Sequence, residues 1–190
     1  FCNSLQKARE HEIKVLCSLA FCKLLHYTNI DIHLKKHEFL AKSFIDKFVQ
    51  IVEELKTDKP IQYILGGTEF AGIDFQLNSE TLIPRPETEE LVMWIVESGV
   101  QPGASVLDIG TGSGCIIVSL GKLLKGVQLC GVDISPEAVR QAADNARRNG
   151  VEVKFEVRDI LRYEEWEWSG FDVIVSNPPY VRESEKALMH

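Results

Sequence analysis

The stretch Ser105-Val106-Leu107-Asp108-Ile109-Gly110-Thr111-Gly112-Ser113-Gly114-Cys115-Ile116 decides the fold. Val106 to Ile109 is a short apolar run of strand length. The glycines after it let the backbone reverse sharply, and Cys115 to Leu124 has the length and apolar content of a buried helix. Outward from this strand–loop–helix unit the alternation continues. Gln128 to Val132 predicts a second strand. Ser135 predicts a helix cap, with Pro136 in the first helical position and Gly150 as the stop after Asn149. Val153 to Val157 and Phe171 to Ser176 predict two further strands. Strands alternating with helices imply a mainly parallel sheet with right-handed crossovers, the doubly wound α/β class.

The sequence upstream has a different character. From Glu10 to Leu25 the apolar positions Ile13, Leu16, Cys17, Ala20, Phe21 and Leu24 recur at three and four, which is one face of a helix. Phe44, Ile45, Phe48, Ile51, Val52 and Leu55 form a second such run, and Asn29, Asp31 and the Lys/His stretch between them predict connections. After Pro60, the segments Ile61 to Leu65, Thr68 to Phe70 and Ile73 to Leu77 predict short strands joined by the turns Gly66-Gly67 and Ala71-Gly72. Then comes Leu82-Ile83-Pro84-Arg85-Pro86-Glu87-Thr88-Glu89-Glu90. Its two prolines hold the chain extended, and Glu87, Glu89 and Glu90 fall in the first turn of a helix, where carboxylates suit the dipole. The expected division is a small helical N-terminal domain over 1–58, a β-hairpin linker over 59–83 and the α/β domain over 84–190.

The 190 residues carry 21 basic and 28 acidic side chains, a net charge of −7. With 45% hydrophobic and 26% charged residues the composition is that of a soluble globular protein. No apolar run approaches the ~18 residues of a membrane span, so no membrane partner is expected. Net acidity counts mildly against a protein that holds nucleic acid through its phosphates. Cys2, Cys17, Cys22, Cys115 and Cys130 are odd in number and form no C-x-x-C pair, which predicts small buried side chains in a reducing cytoplasm. Of the histidines only His33 and His37 share a helical spacing. They flank two lysines, the pattern of a solvated face, and no metal site is expected.

The glycine loop has a defined chemistry. A loop that follows a strand and opens a helix brings backbone N–H groups to a ligand. The nicotinamide fingerprint G-x-G-x-x-G would require glycine at position 115, where this chain has Cys115. Glycines at 110, 112 and 114 behind Asp108 form a D-x-G-x-G-x-G pattern that resembles motif I of the S-adenosylmethionine (SAM) methyltransferases. The second strand ends at Asp133, whose carboxylate can accept both hydroxyls of a ribose. The third ends at Asp159-Ile160, where the resemblance implies an acid against the adenine amino group and an apolar side chain against its ring.

The fourth strand ends Ser176-Asn177-Pro178-Pro179-Tyr180. In methyltransferases this tetrapeptide position is similar to the N/D-P-P-Y/F/W motif of enzymes that methylate a planar nitrogen. Such a nitrogen shares its lone pair with a π-system and is a poor nucleophile. Two acceptors, the Asn177 side-chain oxygen and the Pro178 carbonyl, can hold both of its N–H groups and aim the lone pair. Proline's fixed φ pre-aims that carbonyl, and Tyr180 offers a ring face for stacking.

Lys59-Pro60-Ile61-Gln62-Tyr63-Ile64-Leu65-Gly66, then Phe70, Gly72 and Phe75, then Leu82 to Glu89, and finally Asn177 to Tyr180 resemble the HemK/PrmC methyltransferases. These modify the glutamine of the Gly-Gly-Gln tripeptide in peptide-chain release factors. The P-R-P-E-T-E segment is the specific part, since N-P-P-Y is shared with DNA and RNA methyltransferases.

The resemblance implies a Rossmann-like class I fold. It implies SAM contacts from Asp108, Gly110, Thr111, Gly112, Ser113, Gly114, Asp133, Asp159, Ile160 and Asn177. Asn177, Pro178 and Tyr180 are the expected catalytic residues. Substrate contacts are expected from Asn177, Pro178, Pro179 and Tyr180, with Pro84, Arg85 and Glu87 shaping the entrance. Ile160 stands where other members carry an aromatic residue, which implies a weaker adenine contact. Only four strands of the α/β sheet are legible before His190, fewer than such sheets carry, so the protein is expected to continue beyond it.

The leading expectation is a release-factor glutamine methyltransferase using SAM as a monomer in the cytoplasm, with no stable nucleic-acid partner. The alternatives are an exocyclic-amine methyltransferase acting on DNA or ribosomal RNA, and a SAM-fold adaptor without catalysis.

Overall fold

An unbroken run without glycine or proline carries the chain from Cys2 to Leu25 as one helix, α1. The computed structural model describes residues 2–167 and 170–178. These fall into two compact units, 1–66 and 67–190.

In the first unit α1 is followed by α2 (Asn29–Leu34), α3 (Lys42–Leu55) and α4 (Ile61–Ile64). The apolar faces read from the sequence meet as an aromatic cluster, with Phe21 4.9 Å from Phe44 and 5.6 Å from Phe48 between ring centroids. Asn29 and Asp31 lie in α2 rather than in a connection. Thr28 caps that helix: its hydroxyl oxygen accepts from the Asp31 N–H at 3.1 Å, while the Asp31 carboxylate accepts from the Thr28 N–H at 2.9 Å. These bonds to Thr28 hold the Asp31 carboxyl below its usual pKa. Ile61 to Leu65, expected as a strand, is also helical. The Pro60 carbonyl accepts from Tyr63 and Ile64, and the Leu65 N–H donates to the Ile61 carbonyl at 2.8 Å. The isoleucines at 61 and 64 suggest a strand by type, but their spacing of three places them on one helical face, where Ile61 is buried.

The second unit opens with the hairpin of β1 (Gly67–Phe70) and β2 (Ile73–Gln76), antiparallel as expected. Its turn residues Ala71 and Gly72 both have positive φ, 50° and 73°, as a two-residue turn matched to strand twist requires. Phe70 and Phe75 are fully buried and join the core of this unit. Then come α5 (Pro86–Glu97), β3 (Ser105–Ile109), α6 (Cys115–Leu123), β4 (Gln128–Asp133), α7 (Pro136–Arg148), β5 (Lys154–Val157), a 3₁₀ segment (Ile160–Glu165) and β6 (Val173–Ser176).

The four strands β3 to β6 form a parallel sheet in the order β5-β4-β3-β6. From β3 the chain winds outward through β4 to β5, then returns to the opposite side of β3 as β6. Reversal of winding about β3 opens a crevice at the carboxyl ends of β3 and β6, the place where open α/β sheets bind ligands. Helix α6 packs against β3 and β4, and its Ile117, Val118 and Leu120 are wholly inaccessible. Each such side chain contributes roughly 1.5–3 kcal/mol of burial. Helix α7 presents a stripe of small buried residues, Ala138, Ala142 and Ala146. At Gly114 (φ 79°) a Cβ would lie 3.0 Å from the Ala142 Cβ, so glycine is what lets the loop lie on that stripe.

Candidate active site

The loop after β3 is fixed by its own backbone. The Gly110 and Thr111 N–H groups both donate to the Val132 carbonyl, at 2.8 and 2.9 Å, and the Gly114 N–H donates to the Thr111 carbonyl at 2.8 Å. Gly110, Gly112 and Gly114 all have positive φ, which side-chain-bearing residues resist. Asp133, at the tip of β4, holds this loop as well. One carboxylate oxygen accepts from the Gly112 N–H at 2.9 Å and the other from the Ser135 N–H at 3.0 Å. Each oxygen keeps a second lone pair for a further donor.

Asp108 is buried at the end of β3, 1% exposed. Its Oδ2 accepts from the Thr111 hydroxyl at 2.7 Å, while Oδ1 has no hydrogen-bond partner among the described residues. Burial pushes this carboxyl up to about 7, and the Thr111 bond opposes the rise. The adjoining Cys115 thiol is pushed up to about 12 by the same burial, so it is an inert packing group.

At the end of β5 the Arg158 N–H donates to the Asp133 carbonyl at 2.9 Å, which draws the Asp159 segment toward the β4 tip. The Asp159 carboxylate accepts from the Leu161 N–H at 2.9 Å and caps the 3₁₀ segment, beside the 40%-exposed Ile160. Across β3, Ile109 pairs with Ser176, so Asn177 and Pro178 emerge next to Gly110. Pro179 and Tyr180 lie outside the described residues. Of the P-R-P-E-T-E segment, Arg85 and Glu87 are exposed and Pro84 is half-buried. The residue brought to Asn177 is Thr88, whose hydroxyl oxygen accepts from the Asn177 side-chain NH₂ at 2.9 Å.

Two contributors were not read from the sequence. Thr88 shares the buried face of α5 with Val92 and Ile95, a helical spacing that signals an inward-facing hydroxyl. Asn145 stands on the alanine face of α7 and is wholly buried. Its NH₂ donates to the Ser113 carbonyl at 2.9 Å and the Gln76 carbonyl at 3.0 Å, and its oxygen accepts from the Gln76 N–H at 2.8 Å. It thus ties the hairpin to the glycine loop. Gln141 reinforces this link by donating to the same Gln76 carbonyl at 3.0 Å.

Residues 1–66 match the PrmC N-terminal domain and residues 101–189 match a methyltransferase domain. Over these two segments the chain is similar to the PrmC methyltransferases. A release factor glutamine methyltransferase of Flavobacterium psychrophilum is 48% identical over 144 residues, covering 74% of this chain and 50% of that protein. Another, of Bacteroides thetaiotaomicron, is 41% identical over 179 residues, covering 94% of this chain and 64% of that one. The chain therefore spans about half to just under two thirds of the length of these family members. A SAM-dependent methyltransferase of Agrobacterium tumefaciens superposes with a TM-score of 0.50 at 21% identity, covering 60% of this chain and 39% of that one, which shows the shared fold.

Proposed function

We propose that the full-length protein transfers a methyl group from SAM to the side-chain amide nitrogen of the Gly-Gly-Gln glutamine in peptide-chain release factors. The observation that carries the reading is the placement of Asn177 and Pro178 beside Gly110, on adjacent strands at the point where winding reverses. The two relatives described above are release factor glutamine methyltransferases, which supports the substrate.

The residues present fit SAM on their own chemistry. The loop is held by the carboxylate of Asp133, which suits a cationic ligand and would repel a pyrophosphate. A Cβ built at Gly110 would meet nothing within 4 Å, which leaves open space over the loop. The unpartnered Asp108 Oδ1 is a buried acceptor in want of a donor or cation. When bound, SAM supplies an electrophilic methyl group on a sulfonium. Asp108, Gly110, Thr111, Gly112, Ser113, Gly114, Asp133, Asp159 and Ile160 would hold it.

The chain's own task is orientation. Asn177 Oδ1 and the Pro178 carbonyl accept the two N–H groups of the substrate amide, which fixes the nitrogen lone pair perpendicular to the amide plane. Tyr180 packs on that plane, and Pro84, Arg85, Glu87 and Pro179 shape the entrance. Fixing this geometry in a dry crevice supplies most of the acceleration, so no strong base is needed beforehand. The helical residues 1–58 serve as the docking module for the protein substrate, and residues 59–83 link them to the catalytic domain. The protein works as a cytoplasmic monomer; among the described residues no helix is long and apolar enough to cross a membrane.

The test is incubation of full-length protein and methyl-labelled SAM with release factor, with release factor lacking the tripeptide glutamine, and with DNA or ribosomal RNA. Label is expected in the intact release factor alone. Label in nucleic acid alone would overturn the reading in favour of an exocyclic-amine methyltransferase.

A further inference from the structure

Between Asp74 and Asn78 the chain meets helix α7 at a regular interval. β2 gives one edge to β1, and on the other edge three carboxamides of α7 and its C-cap follow the strand. Asn149 donates to the Asp74 carbonyl at 3.0 Å. Asn145 donates to the Gln76 carbonyl at 3.0 Å and accepts from the Gln76 N–H at 2.8 Å. Gln141 donates to the same carbonyl at 3.0 Å and accepts from the Asn78 side-chain NH₂ at 3.0 Å. The periods match: four helical residues rise about 6 Å, and two extended residues advance about 6.6 Å. The row at 141, 145 and 149 therefore tracks positions 78, 76 and 74 and occupies the strand edge as a neighbouring strand would.

Of the three, Asn145 is the one bonded to the glycine loop, where its NH₂ donates to the Ser113 carbonyl at 2.9 Å. Its orientation is set by its partners. The two carbonyls at its nitrogen can only accept, and the main-chain N–H at its oxygen can only donate. The peptide it grips is held at both ends, because the Gly114 N–H of that same peptide donates to the Thr111 carbonyl at 2.8 Å. Asn145 is wholly buried, so bulk water does not compete for these bonds. We propose that Asn145 is a positioning residue for the cofactor: it sets the Ser113–Gly114 peptide against β2, and with it the curvature of the loop that would hold SAM. Gln141 and Asn149 secure the strand segment. The role rests on the SAM-binding reading above.

The test compares Asn145→Ala with Gln141→Ala and Asn149→Ala in the full-length protein. SAM dissociation constants are measured by isothermal titration, and exchange of the Gly114 amide is followed by NMR in the ligand-free protein. Loss of one buried hydrogen bond to the loop should raise the SAM Kd about tenfold in Asn145→Ala and speed Gly114 exchange by a similar factor. Both control variants should stay within about twofold of wild type in both readouts, although each loses a bond to the β2 segment. A purely structural residue would lower stability in urea without separating Asn145 from its two neighbours. If Asn145→Ala does not fold, Asn145→Asp carries the comparison. Its ionised carboxylate keeps the shape and the bond from the Gln76 N–H but cannot donate to Ser113. Unchanged SAM affinity in the folded variant, or an equal loss in Gln141→Ala, overturns the role of Asn145. If wild type binds no SAM, the underlying reading fails instead, and Gly114 exchange still decides whether Asn145 sets the loop.

Discussion

The glycine loop and the Asn177 exit lie on neighbouring strands and are built on different principles. Main-chain groups define the loop: Gly110 and Thr111 share the Val132 carbonyl, and Gly112 is held by Asp133. Asn145 on α7 also grips main-chain atoms. The polar group at Asn177 is a side-chain amide, and another side chain, Thr88 on α5, is hydrogen-bonded to it. Damage to the loop should therefore register in folding and cofactor binding together. Damage at the exit should register in rate.

The largest expected effect tests the exit. Asn177→Ala should lower methyl transfer by about a thousandfold or more, as loss of an oriented polar group at a reacting centre does. SAM binding, measured by isothermal titration, should remain detectable. A parallel collapse of SAM affinity would show that the two regions are not separable. The loop is tested next by Asn145→Leu, which leaves the buried Ser113 carbonyl and the half-buried Gln76 N–H without their partner. A loss of about 3 kcal/mol in urea unfolding is expected. A loss below about 1 kcal/mol would mean that backbone bonds alone hold the loop.

These effects follow from residues that local patterns only half reveal. The unit from β3 to α6 was legible because left-handed glycines after an apolar strand leave the chain few options. The caps at Ser135 and Gly150 were legible for the same reason, each being a local event. Thr88 and Asn145 were not. Helical spacing places both on buried faces, but their partners lie 89 and 69 residues away, and no window of sequence contains both ends of the bond. Helix α4 was misread because isoleucine favours strands by type, whereas the Pro60 carbonyl had already been committed to starting a helical turn.

A smaller effect separates electrostatics from backbone geometry within the loop. The Asp108 carboxyl is raised by burial to about 7 in the folded protein against the ordinary aspartate value of 3.8, so the native state binds the extra proton between these values. Stability should therefore fall as pH rises from about 4 to 7 and level off above. Asp108→Asn removes this dependence and should gain on wild type across that window, reaching about 2 kcal/mol at pH 8 after allowance for the buried amide's own desolvation. Melting curves at pH 5 and pH 8 check it; an equal difference at both values would contradict it. The smallest effect lies outside both regions. Arg140→Ala breaks an exposed pair with Glu137 on α7 and should cost under about 0.5 kcal/mol by the same melting assay.

The pairing of Ile109 with Ser176 has a mechanical consequence. Adjacent strands stand about 4.8 Å apart, a spacing set by hydrogen bonds and insensitive to side chains. The Ser176 hydroxyl adds a rivet at this joint, donating to the Ile109 carbonyl at 2.8 Å. The sheet thus works as the frame of a calliper, with Gly110 mounted on one jaw and Asn177 on the other. Evolution could exchange what each jaw grips, by altering the loop or the tetrapeptide, without recalibrating the gap. Adjustment of the gap itself would require breaking the ladder that holds the domain together.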